Sequence, residues 1–292
     1  MQRVKMLFNV CLVLLLVSPP GLFAQPDIGI TETGVDQAIQ RGYLLVSGQG
    51  VPGERFTHKG QRKLMALRAA QVDAYRQLLE SVDKVKVHSE SEVRDMAGES
   101  DVVRTAISGL VQGAQVVKRD YDMQEEIATV YVRLPITGKG GVIEHLLPQL
   151  HQTPPPPHSK PYEPPGPPAA APQPQPAATP IDGLIIDVTN YKAFRPALVN
   201  RILTEKGEIL YDPSKIAQDI LVQHGSGDYT TDTGKAKAIL SERGSQNPLL
   251  VSASDIVRMT DVQVSAEAAT AIFAANQQAN FLEAAKVVFV LQ

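Results

Sequence analysis

Residues 151–180 constrain the fold of this chain more than any other stretch, because they hold 13 of its 22 prolines. Proline lacks the backbone N–H that helices and sheets need, so repeated prolines exclude both structures over this range. The sequence predicts an extended polyproline II spacer, with a reach of about 90 Å at roughly 3.1 Å per residue. The alternative is that its runs PPPP and PPGPP are ligands for a proline-binding partner. We expect a linker between two folded domains, at residues 25–150 and 181–292.

The composition is that of a globular protein, and it argues against two broad classes. The 292 residues are 43% hydrophobic and 20% charged, with a formal net charge of −3. A chain with this weakly negative charge lacks the basic surface that holds a phosphate backbone, so we expect no nucleic-acid binding. No apolar run approaches 20 residues, which argues against a protein with several membrane spans.

The first 24 residues have the order of a secretory signal peptide. Arg3 and Lys5 precede the apolar stretch 6–17, residues 18–21 (SPPG) interrupt it, and Ala24 supplies a small residue before the cleavage point. The apolar stretch is too short to span a bilayer. We therefore expect cleavage after Ala24 and export across the inner membrane into the periplasm.

The single cysteine, Cys11, lies inside this apolar stretch. The alternative to a discarded filler is a lipobox cysteine that anchors the chain to a membrane, but Asn9 and Val10 stand where a lipobox has small residues. After cleavage no cysteine remains, and the loss of Arg3 and Lys5 takes the net charge from −3 to −5. An exported chain without cysteine must be stable through packing alone.

Hydrophobic periodicity in residues 25–150 predicts an α+β domain. The predicted order is β-α-β-α-β-β with the helices packed on one sheet face, followed by a short closing helix. Strands are expected at 42–47, 84–88, 115–121 and 127–134, and helices at 61–82, 101–111 and 142–147. On the long helix, a 3–4 spacing predicts an inward row of Leu64, Leu67, Ala70, Ala74, Leu78 and Val82.

The hydrophobic pattern of residues 181–292 predicts a second α+β domain. Strands are expected at 183–188, 198–203, 208–211, 249–252, 261–264 and 286–291, and helices at 235–242 and 267–278. The segments 198–203 and 208–211 form a hairpin signal around Glu205-Lys206-Gly207. Ser265 is the predicted N-cap of the last helix. The near-continuous apolar run KVVFVL at 286–291 predicts a central strand.

One literal dinucleotide-binding pattern, GxGxxG, occurs at residues 48–53 directly after a predicted strand. In a true nucleotide fold the last glycine opens a helix whose N–H groups hold the pyrophosphate. Here Pro52 precedes the last glycine, helical periodicity begins only at about residue 61, and the nearest suitable acid, Asp73, lies inside a helix. We interpret the pattern as a glycine-rich loop between strand and helix.

Other motifs that carry chemistry are absent or incomplete. The GKGG run at 138–141 lacks the rest of a phosphate loop, and no pair of the six histidines has metal-ligand spacing. Four acids, Asp120, Asp122, Glu125 and Glu126, are expected to form an acidic hairpin turn rather than a calcium site. Neither a Gly-x-Ser-x-Gly motif nor a reactive cysteine supplies a nucleophile. We therefore predict a protein that is not an enzyme and has no cofactor or metal.

Two elements between residues 48 and 134 form a signature. The first is an alanine-rich helix that contains Ala66, Ala69-Ala70 and the run DAYRxLLE from Asp73; the second is GLVQGA at 109–114. On these residues the stretch resembles the LPP-twenty outer-membrane lipoprotein family and the N-terminal domain of flagellar assembly protein T. Residues 181–292 are similar to segments of uncharacterised exported bacterial proteins.

The signature residues have architectural roles in this interpretation. They are Ala70, Asp73, Ala74, Tyr75, Arg76, Leu78, Gly109 and Gly113. The two alanines let the helix approach a sheet closely, while the tyrosine and the leucine fill the gap. The aspartate and the arginine, spaced i,i+3, can pair on the surface. The two glycines are predicted to allow tight packing and a left-handed cap.

The resemblance implies an exported cell-envelope protein, in some relatives part of the outer-membrane or flagellar basal apparatus. Its partners would be envelope or flagellar basal-body proteins, with an association with the outer membrane, although the chain lacks the lipobox of the lipoproteins. The leading hypothesis is a periplasmic protein that binds other envelope proteins through two tethered domains. The alternative is a periplasmic small-molecule or glycan-binding module with its pocket in the C-terminal domain. An envelope hydrolase ranks third.

Overall fold

The structure is a computed structural model that describes residues 32–89, 91–152, 155–156, 159–166 and 179–292. The described residues belong to one compact unit, Glu32–Gln292. The predicted signal peptide, with Cys11, and much of the predicted linker lie outside them. Within the described part, no helix combines the length and the apolar character that crossing a membrane requires. The fold is α+β, as predicted.

The N-terminal half contains five helices and five strands among its described residues. The helices are α1 (Val35–Arg41), α2 (Lys59–Asp83), α3 (Val93–Glu99), α4 (Asp101–Gln112) and α5 (Val142–Gln152). The strands are β1 (Tyr43–Gly50), β2 (Lys86–His88), β3 (Ser91–Glu92), β4 (Gln115–Tyr121) and β5 (Ala128–Pro135). Strands β1, β5 and β4 form an antiparallel sheet in that order, and β2 pairs with β3.

Helix α2 lies against β1 at a distance that only small residues allow. The buried face of α2 is Ala66, Ala70, Ala74, Leu78 and Val82. Opposite the alanines, an ideal Cβ atom at Gly48 would lie 2.1 Å from the backbone N of Ala74, and one at Gly50 would lie 2.3 Å from the backbone N of Ala70. Close approach of backbone to backbone is a standard use of glycine in strands. The GxG pair is therefore part of β1 and packs against α2, whereas we had predicted a loop there.

The C-terminal half contains two four-stranded sheets. Its strands are β6 (Gly183–Asp187), β7 (Ile202–Thr204), β8 (Ile209–Tyr211), β9 (Asp228–Thr230), β10 (Pro248–Ser252), β11 (Asp255–Val257), β12 (Asp261–Val264) and β13 (Val287–Val290). Its helices are α6 (Gln218–His224), α7 (Thr233–Glu242) and α8 (Ala266–Ala279), with a 3-10 turn at Pro213–Lys215. Ser265 caps α8 by accepting from the N–H of Ala268, as predicted.

The first of these sheets is entirely parallel, and its strand order is β10-β6-β13-β9. Every residue of β13 is buried, which confirms the prediction of a central strand from its apolar run. The second sheet has the order β11-β12-β7-β8, with β8 at one edge. The predicted hairpin is present, because β7 pairs with β8 in antiparallel register.

Backbone hydrogen bonds join the two halves. The N–H of Leu198 donates to the carbonyl of Lys86 at 2.9 Å, and the N–H of Val199 donates to that of Val87 at 2.8 Å. One hydrophobic cluster of buried residues contains members of both halves. Local periodicity cannot signal such a contact, because it joins segments about 110 residues apart. Whether either half folds alone stays a prediction.

Two predicted details of the helices are wrong. Leu64 was placed on the inward face of α2 but is 49% exposed, whereas Ala66 and Ala70 form the buried face in this part of the helix. The closing helix was predicted to end before Pro148, but α5 continues to Gln152. The proline removes one backbone donor, whereas Leu146 and Leu150 on either side of it remain buried and anchor the helix.

Candidate functional site

An open groove runs along α4. Its volume is about 660 Å³, within the range of about 300–1,000 Å³ that is typical of binding clefts. The C-terminal part of α4 forms one wall, and the start of β4, the end of β5 and the start of α5 form the other. Its lining includes Thr105, Ala106, Gly109, Gly113, Arg133 and His145.

Two signature glycines line this groove but do not have their predicted roles. An added Cβ atom at Gly109 would meet no heavy atom within 4 Å, so this glycine does not allow tight packing. Gly113 ends α4 with a φ of −84°, which is right-handed and not the left-handed cap that we expected. Neither residue is required by backbone geometry. Their common effect is that no side chain enters the groove at these two positions of α4.

The groove carries positive charge without a carboxylate of its own. The guanidinium of Arg133 lies over the ring of Tyr43, 4.1 Å from its centroid, and forms no ion pair with any carboxylate that the structure describes. His145 is fixed by a contact of 2.9 Å between its Nδ1 and the carbonyl of Gly141. An apolar wall beside an available guanidinium suits a ligand with apolar groups and one acidic group.

The signature residues of α2 lie elsewhere and are structural. Ala70, Ala74 and Leu78 are fully buried against β1, and the hydroxyl of half-buried Tyr75 accepts from the side chain of Gln71 at 3.0 Å. The predicted pair of Asp73 with Arg76 is present, with 2.7 Å between Oδ1 and Nη2.

Asp73 also links α2 to β1 through a hydrogen bond to the backbone. Its Oδ2 accepts from the N–H of Gln49 at 3.1 Å. The hydrogen bond from Arg76 is the main cause of the lowered pKa of Asp73. An aspartate engaged in this way serves the packing of α2 on β1.

Three of the four acids at and beside the turn between β4 and β5 are held by protein groups, and the first, Asp120, pairs with Lys118 at 3.0 Å. Asp122 accepts from the N–H groups of Gln124 and Glu125, which lowers its pKa. Glu126 pairs with Arg62 at the start of α2. Among the residues that the structure describes, no group of three or more histidine, cysteine, aspartate or glutamate residues could hold a metal ion.

A buried polar cluster in the C-terminal half was missed by sequence reasoning. Arg201, only 2% exposed, donates from Nε to Asp212, and its backbone N–H donates to Oδ1 of Asp261 at 3.1 Å. Oδ2 of Asp261 is buried and has no hydrogen-bond partner among the described residues. Burial, against the opposing charge of Arg201, raises the pKa of Asp261 to about 6. The three residues are well separated in the sequence and belong to no recognisable motif, so the sequence alone does not indicate that they meet.

We expect Asp261→Asn to remove a pH dependence of stability. Because the folded pKa of Asp261 is about 6 and the unfolded value is about 3.9, folding binds a proton between these values. Its contribution to stability is complete below about pH 4 and is lost as the pH rises through 6, by about 3 kcal/mol. In urea unfolding measured from pH 4 to pH 7, the free energy of unfolding of the variant should therefore increase relative to that of the parent, by about the same amount. Parallel curves would contradict this, and Asp101→Asn, whose side chain is 92% exposed, is the control.

The C-terminal half offers smaller cavities. One of about 210 Å³ lies at the carboxyl ends of β6 and β13, lined by Tyr191, Lys192 and Arg195. Another of about 120 Å³ lies between β8 and α8. Both are below the range that is typical for small-molecule sites. The small-molecule or glycan-binding module stays a prediction with less geometric support than the groove on α4.

One family model matches the chain. It is described as Treponema pallidum Tp0624, second domain, and it matches residues 183–292. The C-terminal part of the chain is thus similar to that family, and the matched range begins with β6 and contains both four-stranded sheets. No curated protein matches the chain. The resemblance of residues 48–134 stays a prediction.

Proposed function

We propose that this chain is an exported, non-catalytic protein of the cell envelope whose N-terminal half binds another envelope protein through the groove along α4. Three observations support the proposal. Residues 1–24 have the pattern of a secretory signal, residues 48–134 resemble envelope and flagellar assembly proteins, and the groove has the volume of a binding cleft. A structural role in flagellar or outer-membrane assembly is the most specific form of this proposal.

The observation that carries the binding role is the open space beside Gly109. A glycine in a helix interior costs about 0.5–1 kcal/mol relative to alanine, and at this position neither packing nor φ offsets that cost. Side chains at Gly109 would occupy the space that a ligand needs. The occupant to which the groove is suited is an apolar segment of a partner protein with one acidic side chain for Arg133.

Side chains added at Gly109 should affect the stability of the fold and the binding of the partner in different ways. Gly109→Ala should raise the free energy of unfolding by about 0.5–1 kcal/mol, because it improves helix propensity and meets no neighbour. Gly109→Phe should fold equally well but abolish binding of the partner. Gly98 of α3 also has open space around it, so Gly98→Phe is the matched control that should bind normally. Thermal melts and cross-linking in the source cells measure the two properties.

The cross-linking is designed around two positions on α4. A photoreactive residue at Thr105, which lines the groove, should give an adduct with an envelope protein, and one at Val102, which is exposed on the same helix outside the groove lining, should not. The adduct should disappear in Gly109→Phe and weaken with Arg133→Glu. An adduct that persists in both variants would rule out the groove as the binding site.

Cell fractionation tests the location. Flagellar basal bodies, outer membrane and periplasm from the source cells should be probed separately for the chain. Enrichment with basal bodies supports an assembly role. Recovery only as free periplasmic protein would remove the flagellar interpretation and leave a binding role in the periplasm.

A further inference from the structure

Part of the proline-rich region is bound to the C-terminal half as an added strand. Pro161 forms a parallel bridge with Ile209 at the open edge of β8. The N–H of Tyr162 donates to the carbonyl of Ile209 at 2.9 Å, and the N–H of Ile209 donates to the carbonyl of Lys160 at 2.8 Å. Three consecutive residues thus extend the sheet β11-β12-β7-β8 by one short strand.

The proline fits this pairing because of its position in the register. In a parallel bridge, the residues before and after the bridged one supply the hydrogen bonds, here Lys160 and Tyr162. The missing N–H of Pro161 therefore costs no bond to β8. A residue that precedes proline is biased toward extended conformations, so Lys160 is preorganised for a strand.

Side chains on both sides of the proline add specificity. The ring of Tyr162 packs edge-on against Phe273 of α8, with 5.6 Å between centroids, and its hydroxyl lies 3.0 Å from Oγ1 of Thr270. Nζ of Lys160 lies 3.3 Å from a carboxylate oxygen of Glu208. These contacts select a basic residue and a tyrosine two positions later, and the backbone register accommodates the proline between them.

We propose that the edge of β8 with the adjacent face of α8 is a peptide-binding site of the strand-addition type, defined by Glu208, Ile209, Thr270 and Phe273. Its ligand is an extended Lys-Pro-Tyr segment, which the chain itself supplies in this structure and which a partner protein with the same chemistry takes over. All the recognition comes from three adjacent residues, so it does not depend on the rest of the chain that carries them. Strand addition with a side-chain pocket is an established mode of peptide recognition.

The chain's own Lys160–Tyr162 segment competes with any added peptide and therefore lowers the apparent affinity of the site for that peptide. A peptide from outside binds only to the fraction of molecules in which the site is open, so its apparent affinity falls by that fraction. The resident segment is tethered, and short tethers give effective concentrations in the millimolar range. Wild-type protein should therefore bind an external peptide weakly, and release of the resident segment should strengthen binding at least tenfold.

The test uses a fluorescein-labelled peptide of residues 159–166 (SKPYEPPG) and the full chain. Tyr162→Ala in the chain should raise its affinity for the peptide at least tenfold over wild type by fluorescence anisotropy. The same peptide with alanine in place of the tyrosine should bind neither protein. Tyr75→Ala, which removes a half-buried tyrosine on α2, should behave as wild type. Equal binding of the peptide to the wild-type and Tyr162→Ala chains would overturn the proposal.

Reversing the charge of Lys160 gives a second test, which leaves the contact between Tyr162 and Phe273 unchanged. Lys160→Glu in the chain places two carboxylates together at Glu208 and should also increase peptide binding. Adding Phe273→Ala to this variant should abolish that gain, because it removes the ring against which the tyrosine packs. Binding that persists in the double variant would place the peptide elsewhere and refute the site.

Discussion

Gly48→Ala should destabilise this protein by about 4 kcal/mol or more, which is exceptional for the addition of one methyl group. The new Cβ atom would lie 2.1 Å from the backbone N of Ala74 and 2.4 Å from the carbonyl O of Ala70. Both neighbours are backbone atoms of α2, so no side chain can rotate away and the whole helix must move off β1. Circular dichroism melts should show a large fall in the melting temperature or the loss of a cooperative transition.

The same substitution nearby provides the control. Gly53 follows β1 on the way to α2, and an added Cβ atom there would lie 3.7 Å from the ring of Phe56, which is ordinary contact. Gly53→Ala should change the free energy of unfolding by less than about 1 kcal/mol. If Gly48→Ala melts like Gly53→Ala, the close approach of α2 to β1 is wrong.

Arg201→Met should cost about 3–5 kcal/mol at neutral pH, because it leaves buried Asp212 without its cation. In the parent, hydrogen bonds from Ser214 and Arg201 lower the pKa of Asp212 although burial opposes them. Without the guanidinium, burial dominates and that pKa should rise. The destabilisation should therefore shrink as the pH falls and the carboxyl group becomes protonated, and urea unfolding at pH 7 and pH 4 measures this.

A double variant separates loss of the pair from loss of packing. Arg201→Met combined with Asp212→Asn removes the unpaired charge and should recover part of the stability at pH 7. Replacement of a buried ion pair by neutral groups is often close to neutral in stability, whereas removal of one partner is not. A double variant no more stable than Arg201→Met would show that the arginine acts through its volume alone.

Much of the architecture followed from local pattern. Alternating and 3–4 periodicities located α2, α4, α8, the β4–β5 hairpin and the central strand β13, each close to its observed bounds. These elements are long or strongly apolar, so local periodicity is the dominant signal. Short elements such as α1, α3, α6 and β9 were not predicted, because tertiary contacts rather than propensity stabilise segments of three to seven residues.

The candidate sites were less accessible to sequence reasoning. Gly109 and Gly113 were singled out by resemblance, but their open surroundings depend on where β4, β5 and α5 pack against α4. The contact of Pro161 with Ile209 joins residues 48 positions apart in a segment that composition alone describes as a spacer. Arg201 and Asp261 have no local pattern at all, since their proximity follows from the pairing of β7 with β12.

The central position of β13 also determines when this fold can form. Among the four parallel strands, β13 is the last along the chain, yet it is the one that lies between β6 and β9. During synthesis, β6 and β9 emerge about 100 and 60 residues earlier and have no common neighbour until Val287–Val290 is available. Non-local pairing of this kind is slow, because the intervening loop must close first. A nascent chain therefore cannot complete this parallel sheet until its last strand has been synthesised.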